Sequence, residues 1–504
     1  MKQTNSRFKK IVFSSVTSTL LKLITFLCSF ILTRLIIGNY GSEINGIISS
    51  ITQFLGFIAL LEGGIGGIAR AVLYKPLAKK NDEEIQKIIS YIERFFRILA
   101  LIFVAYSIAI ACIFPIFSDK EYLFTFTLVL IMAISSFCEY FFGMSYTILL
   151  ASDQKTHVIN YLSGIVTIIN FIISFVLIRI GAQIHIVKLI SVFILISKPL
   201  FLSFYCRKKY NLKRTKLKKN DNVLPQKWSG LGVHVAYYLH RNTDIFLITI
   251  FLSLTTVSVY SVYNMVISGI LTFINALSVG FEAALGNMLS NNEKDNLKSK
   301  FRIYVFYYQL LCTFLLSATL VLIVPFVSIY TKGITDANYY QPLFAFLFVF
   351  AEFMYCLRVP FNDLMVATNS FKDIRWGAYF EVIINITVSV SLIFIIGLNG
   401  VVVGTICAML FRLIHFLWFF KTKKIHIEIG WFIKNTLVSL TSLLFSFFIL
   451  RYLNINSGLT YLSWIKYAIV VSVFCFIFVV LFNAIFNRRE SLSVLRYLKN
   501  KIHK

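Results

Sequence analysis

The sequence predicts an all-α integral membrane protein of about fourteen transmembrane helices. Three observations lead there. Of 504 residues 58% are hydrophobic, with a mean hydropathy of +0.79. Apolar stretches of about 20 residues, the length that crosses a bilayer as a helix, recur along the whole chain. The basic residues, which give a net charge of +27, gather in alternate connections rather than in one block.

In chain order the candidate spans fall at 11–37, 44–68, 95–117, 122–149, 157–179, 184–205, 228–252, 257–281, 302–326, 340–366, 374–396, 399–420, 431–453 and 462–486. The first follows basic residues but is too long for the apolar core of a signal peptide and lacks a small-residue cleavage pattern, so it reads as a retained helix. Along it Ser15, Ser18, Lys22, Thr25, Ser29 and Thr33 recur every three or four residues and share one face. The second carries a milder stripe, Asn45, Ser49, Thr52, Gly56 and Gly63, with Glu62 beside it. Its end is loosened by Gly63, Gly64, Gly66 and Gly67. Lys75-Pro76 then reads as a break, followed by an amphipathic helix over Asn81 to Tyr91 with Ile85, Ile88, Ile89 and Ile92 toward the membrane. The seventh span repeats the polar stripe with His234, Tyr238, Arg241 and Asp244, and the eighth with Asn264, Ser268, Asn275, Ser278 and Glu282. In the tenth, Arg358 precedes the helix-perturbing Pro360. Arg34, Lys188, Lys198, Arg412 and Lys466 lie nearer span ends and are read as snorkelling.

With an internal N-terminus, about 37 of the 49 Lys and Arg fall in cytoplasmic segments and about 4 in external ones, which places both termini in the cytosol. The same placement argues against a nucleic-acid partner. The basic run RKKYNLKRTKLKK from Arg207 to Lys219 reads as a topology anchor against anionic lipid. The eight cysteines lie in or beside spans without paired spacing, and the seven histidines have no ligand spacing, so neither a disulfide, a metal site nor a cofactor is expected.

A repeat organises the chain. TIINFIISFVLIRIG (Thr167 to Gly181) aligns with VIINITVSVSLIFIIG (Val382 to Gly397) at an offset of about 216 residues. At the same offset Ala151-Ser152-Asp153 faces Ala367-Thr368-Asn369, and Arg207-Lys208-Lys209 falls beside Lys423-Lys424. The expected organisation is two six-helix repeats, spans 1–6 and 7–12, plus two extra helices. The corresponding segments are residues 1–205, a basic cytoplasmic linker at 206–227, a second half at 228–420, and 421–504 with the extra helices and tail. An even number of spans per repeat makes the halves parallel, with a transport pathway expected between them.

Lys22 and Arg241 are the residues that packing does not explain. Small polar side chains join membrane helices without any cavity, but a cation at bilayer depth costs roughly 2.5–3.5 kcal/mol and asks for water or an anion. Arg241 and Asp244, three residues apart, also admit a structural ion pair. A cationic interior suits a phosphate-bearing substrate, Arg supplying a fork and Lys a movable point charge. The candidate substrate-binding residues are Lys22, Arg241, Asp244, Arg358, Asn264 and Asn275, with Glu62 and Glu282, and beside them Glu139, Asp244 and Glu352, as candidate coupling carboxylates. The longest external segment, about Pro325 to Tyr339, holds no nucleophile–base set, so the chain is not expected to be an enzyme.

The segment LLEGGIGGIARAVLYKPLAKK (Leu60 to Lys80) followed by NDEEIQKIISY resembles the end of the second span and its cytoplasmic loop in Wzx-type flippases, members of the multidrug/oligosaccharidyl-lipid/polysaccharide exporter superfamily. Asn242-Thr243-Asp244, Val259-Tyr260-Ser261-Val262-Tyr263, Gly286-Asn287 and Leu357-Arg358-Val359-Pro360 extend the resemblance over the whole chain. It implies a flippase of a bacterial cytoplasmic membrane that moves undecaprenyl-diphosphate-linked oligosaccharide repeat units by alternating access, for capsule or exopolysaccharide biosynthesis. Its partners would be membrane lipids, a polysaccharide polymerase and glycosyltransferases. A lipid II flippase or a multidrug exporter of the same superfamily is the alternative; an exporter of organic cations would more naturally line its cavity with carboxylates.

Overall fold

The computed structural model describes residues 2–62, 65–212, 231–290, 294–423, 428–453, 458, 460–488 and 490–491. Within them the chain is helical throughout, with no strand. Thirteen segments are long and apolar enough to cross a membrane, and a fourteenth, in the helix Leu231–Phe251, has its described apolar part at Asn242–Phe251. Thirteen of the fourteen expected spans are matched, and at the seventh the described apolar part is ten residues long. The chain divides into two compact units, Met1–Tyr238 with Ser253–Ser258, and Leu239–Leu252 with Val259–Lys504. Most of the basic run between spans six and seven, and the basic C-terminal tail, lie outside the described residues.

The first unit holds α1 (Lys2–Tyr40), α2 (Ser42–Gly56), α3 (Ala59–Glu62), α4 (Ile65–Lys79), α5 (Asp82–Ile113), α6 (Tyr122–Cys138), a π turn (Glu139–Gly143), α7 (Met144–Ser152), α8 (Thr156–Arg179) and α9 (Ile184–Lys209). α1 packs on α8 and α2, α6 on α9 and α5, and α4 on α5 and α7. The second span is interrupted at Phe57-Ile58, where single-turn bonds such as Phe57 N to Phe54 O (3.1 Å) replace the helix ladder. Two expectations are corrected after it. Pro76 lies inside α4 rather than at a break. The chain turns only at Lys80, which takes φ +52°, with Asn81 N bonded back to Pro76 O. The segment 81–91 is no separate helix. It is the start of α5, capped by the Asn81 side chain accepting from Glu84 N at 3.2 Å, with Asp82, Glu83 and Glu84 favourably placed at the positive end of the helix dipole. Ile85, Ile88, Ile89 and Ile92 face the protein interior and are buried. The side toward which an apolar stripe turns is decided by what packs there, and here α4 and α7 do.

The remaining helices are α10 (Leu231–Phe251), α11 (Leu254–Ser290), α12 (Lys294–Tyr330), α13 (Pro342–Ala367), α14 (Phe371–Ile396), α15 (Leu398–Lys423), α16 (Ile429–Tyr452) and α17 (Tyr461–Phe486). In the second unit α13 is apolar and buried on nearly every side, which makes it the axis of the bundle. It packs on α12 and α15, α14 lies along α15, and α16 and α17 rest on α12. The two extra helices are joined to α12 by a buried amide ladder. Gln309 donates to Thr436 (3.3 Å), Asn435 to Gln309, and Asn487 to Asn435 (2.8 Å) and Asn483 (3.1 Å). At the end of the ladder Arg302 pairs with Glu490 (2.5 Å) and Glu428 (3.2 Å), Lys298 also reaches Glu428 (2.9 Å), and Trp431 donates to Glu490 (2.8 Å). The hydrogen bond and charge of Lys298 hold the Glu428 carboxyl below its ordinary range.

Two corners recur at the offset of the sequence repeat. Left-handed Gln154 (φ +56°) between α7 and α8 corresponds to Asn369 (φ +50°) between α13 and α14, and Gly181 (φ +78°) after α8 to Gly397 (φ +57°) after α14. A shared turn geometry 215 or 216 residues apart is a stronger sign of a repeat than apolar similarity, because hydrophobic composition does not dictate φ.

Candidate functional site

In the first unit, Thr17 and Ser18 of α1 accept from Asn160 of α8 at 3.2 and 2.8 Å, which fixes the rotation of α1. One turn further along, Lys22 is exposed among the exposed apolar residues Leu20, Leu23 and Leu27, and no carboxylate pairs with it among the described residues. Glu62, at the end of α3, is half-buried, and the Arg70 guanidinium of α4 acts on its charge. Lys198 corrects the snorkelling expectation. Its ammonium lies 3.0 Å from Glu139 Oε1 on the π turn, so a carboxylate inside the bundle, not the membrane surface, meets its charge.

In the second unit Asp244 is buried in the middle of three helices. Tyr260 of α11 donates to Oδ2 (3.0 Å), and Thr405 Oγ1 of α15 lies 3.2 Å from Oδ1. Thr405 Oγ1 also lies 3.3 Å from the Val401 carbonyl and accepts from Asn385 Nδ2 of α14 at 3.0 Å. One hydroxyl proton is thus shared between two acceptors. The Asn385 Oδ1 atom is buried with no hydrogen-bond partner, and no cation pairs with Asp244 among the described residues. The Asp244 carboxylate and the Tyr260 and Thr405 hydroxyls form a buried all-oxygen set, the chemistry that suits a small hard cation or a proton on Asp244. Among the described residues no three His, Cys, Asp or Glu side chains gather as a metal site. The set depends on close approach of α14 and α15: a Cβ on Gly404 would stand 2.1 Å from Ser389 Oγ and 2.7 Å from its backbone nitrogen.

Arg241, the central residue of α10, and Glu282 of α11 have side chains outside the described residues. Asn264 is bonded locally by Ser268 (3.2 Å), and Asn275 accepts from Tyr308 of α12 (3.3 Å). Arg358 gains a partner that the charge survey passed over, Glu381 of α14, which its Nη1 contacts directly. The other carboxylate oxygen of Glu381 lies 3.5 Å from Arg412 Nε of α15. Arg412 therefore does not snorkel. It is buried, donates to Ile374 O at 3.1 Å and lies 4.3 Å over the Phe416 ring. Gly377 makes room for it, since a Cβ there would come within 2.6 Å of its Nη1. One acid and two guanidiniums leave an excess positive charge in the core, partly offset by the Tyr355 and Phe416 ring faces.

No family model matches the sequence, and no curated protein matches it significantly. Solved structures are similar. Lipid II flippase MurJ, in an inward closed conformation, matches over 95% of this chain and 99% of its own with a TM-score of 0.70 at 14% identity. An inward-facing multidrug resistance MATE family transporter of the MOP superfamily matches over 80% and 97%, TM-score 0.57, also at 14% identity. A MOP superfamily transporter from Pyrococcus furiosus, described as having a binding pocket of reverse polarity, matches over 81% and 94%, TM-score 0.55, at 13% identity. The likeness establishes the fold, the all-helical one that these structures share.

Proposed function

We propose that this protein is a flippase that carries undecaprenyl-diphosphate-linked oligosaccharide repeat units across a bacterial cytoplasmic membrane. The observation that carries the reading is Lys22, a lysine within an apolar span, exposed and without a carboxylate among the described residues. Hydrocarbon does not accommodate such a charge, so it faces water or an anion. Arg241, halfway along α10, supplies the second cation. Each of these cations would act on the anionic head group while the polyprenyl tail stays in lipid, and translocation proceeds by alternating access without covalent chemistry. The oxygen set around Asp244 is the proposed coupling site: a bound cation or proton there would neutralise the carboxylate and bias one conformation.

In a host whose own copy is deleted, Lys22→Ala and Arg241→Ala are expected to abolish polysaccharide export at normal membrane abundance, and Arg241→Lys to restore only part of it because the bidentate fork is gone. Normal export by both alanine variants rejects the anion site. A second reading, lipid II as substrate, is favoured by the near-complete overlap with MurJ. Rescue of growth in cells depleted of their lipid II flippase, without effect on polysaccharide export, would establish it instead.

The proposed orientation has both termini in the cytosol. Single cysteines placed at Lys208 or Lys501, in a background lacking reactive cysteines, are expected to escape impermeant thiol reagents in intact cells, whereas one at Lys332 is labelled. Labelling at Lys208 from outside overturns the orientation.

A further inference from the structure

Lys198 and Glu139 are too open for a packing pair: their side chains are 26% and 30% exposed although both lie well inside long apolar spans. Their open side is not the lipid side. On α9 the exposed apolar residues centre on Phe193, Leu200 and Phe204, roughly 120–160° around the helix from Lys198, which shares its side with buried Val187 and Leu202 while exposed Leu195 and Phe201 lie about 60° to either side of it. On α6 and its π turn, Glu139 is turned about as far from exposed Leu123 and Ile134. The π turn starts at Glu139, where the added residue re-aims the side chain. Close packing of Gly143 on Pro199, whose Cβ atoms would be 2.8 Å apart, fixes the two helices one turn away.

Tyr140 adjoins this pair, and two further tyrosines lie within reach of it or of each other. Tyr140, half-buried next to Glu139, packs against Phe96 and Phe103 and is within electrostatic reach of Glu62, Tyr238 and Glu139. Tyr238 stacks edgewise on Phe57 (5.7 Å), at the interruption of the second span, and interacts with Tyr106, whose hydroxyl donates to Phe54 O at 2.7 Å and so offers a sugar its oxygen as acceptor. Glu62, Glu139, Lys198 and the Arg70 that acts on Glu62 sum to zero charge. A diphosphate gains little from a neutral cluster. A polyhydroxylated ring gains much: carboxylates accept its hydroxyls, tyrosine hydroxyls and an ammonium donate, and aromatic faces cover its C–H face.

We propose that Glu62, Glu139, Lys198, Tyr106, Tyr140 and Tyr238 form a sugar subsite in the first unit that reads the oligosaccharide of the lipid-linked substrate. The inference rests on the flippase reading and adds a division of labour: the cations Lys22 and Arg241 take the diphosphate, and this neutral tyrosine–carboxylate cluster takes the glycan.

The test uses the full-length protein in nanodiscs and two probes, the lipid-linked repeat unit purified from cells that lack this transporter, and undecaprenyl diphosphate alone. Equilibrium binding should be about tenfold tighter for the glycosylated lipid. Tyr140→Ala should lose that increment, binding both probes at the affinity of the bare diphosphate. Tyr140→Phe, which keeps the ring packing and removes the hydroxyl, should lose about threefold of it. Wild-type affinity for the glycosylated lipid in both variants overturns the subsite, as does equal loss for both probes in Tyr140→Phe. If the wild-type protein binds neither probe, the flippase reading itself fails and the subsite falls with it; if it binds both equally, only the subsite fails.

Discussion

Glu381→Gln should be among the most damaging single substitutions in this protein, and Arg358→Met among the mildest changes to a buried charge. Glu381 contacts both Arg358 and Arg412, all three being 5% exposed or less. Removing its charge leaves two guanidiniums facing each other in the core of the second unit. Breaking a buried pair from one side costs about 3–5 kcal/mol, and here a second unpaired cation adds repulsion. Replacing Arg358 by methionine has the opposite effect on the charge count: Arg412 and Glu381 remain as a neutral pair, and an apolar chain fills the space, a change that is often neutral or stabilising. The measurement is membrane abundance together with the unfolding temperature of the purified protein in detergent. A Glu381→Gln variant as abundant and as heat-resistant as wild type would show that the triad contributes nothing to stability.

That asymmetry was not legible in the sequence, and the reason is physical. A span is readable because hydrocarbon demands about twenty apolar residues whatever their neighbours are, so the spans can be placed from the sequence, whereas the left-handed corners of the repeat are visible only in the structure. What a side chain meets is set by other helices. By sequence position Arg412 and Lys198 read as snorkelling cations, and only the structure brings Glu381 and Glu139 to them. Ile85, Ile88, Ile89 and Ile92 follow the same spacing whether an amphipathic helix lies on lipid or on protein, so the period located the stripe and not its partner. Glu381 carries no signature in the sequence because neither of its partners, Arg358 and Arg412, lies within a helical turn of it. Asp244 was singled out, but as one end of a pair with Arg241, because three residues is the distance a sequence can see; Thr405, 161 residues away, is the contact it cannot.

Asp244 therefore separates two accounts of the same carboxylate. As a hydrogen-bond acceptor for Tyr260 and Thr405 it has a near-perfect substitute in asparagine, which retains an oxygen for one of them and the same shape. As the charged member of an all-oxygen coupling site it has none, since the amide carries no charge to hold a cation or a proton. Asp244→Asn should accordingly accumulate normally and lose most export, about tenfold or more, a loss in the range expected when a buried charge no longer meets its counter-ion. In proteoliposomes the wild-type rate should respond to replacing sodium with a large organic cation, or to collapsing the proton gradient, and the variant should respond to neither. The double substitution Arg241→Ala with Asp244→Asn distinguishes a structural pair from two functional charges: a pair that serves only packing recovers export when both charges are removed, whereas the arrangement seen here, with Asp244 held by hydroxyls of α11 and α15, predicts that the double variant stays inactive. Full export by the double variant, or by Asp244→Asn alone, would remove Asp244 from the coupling site and leave it a structural acceptor.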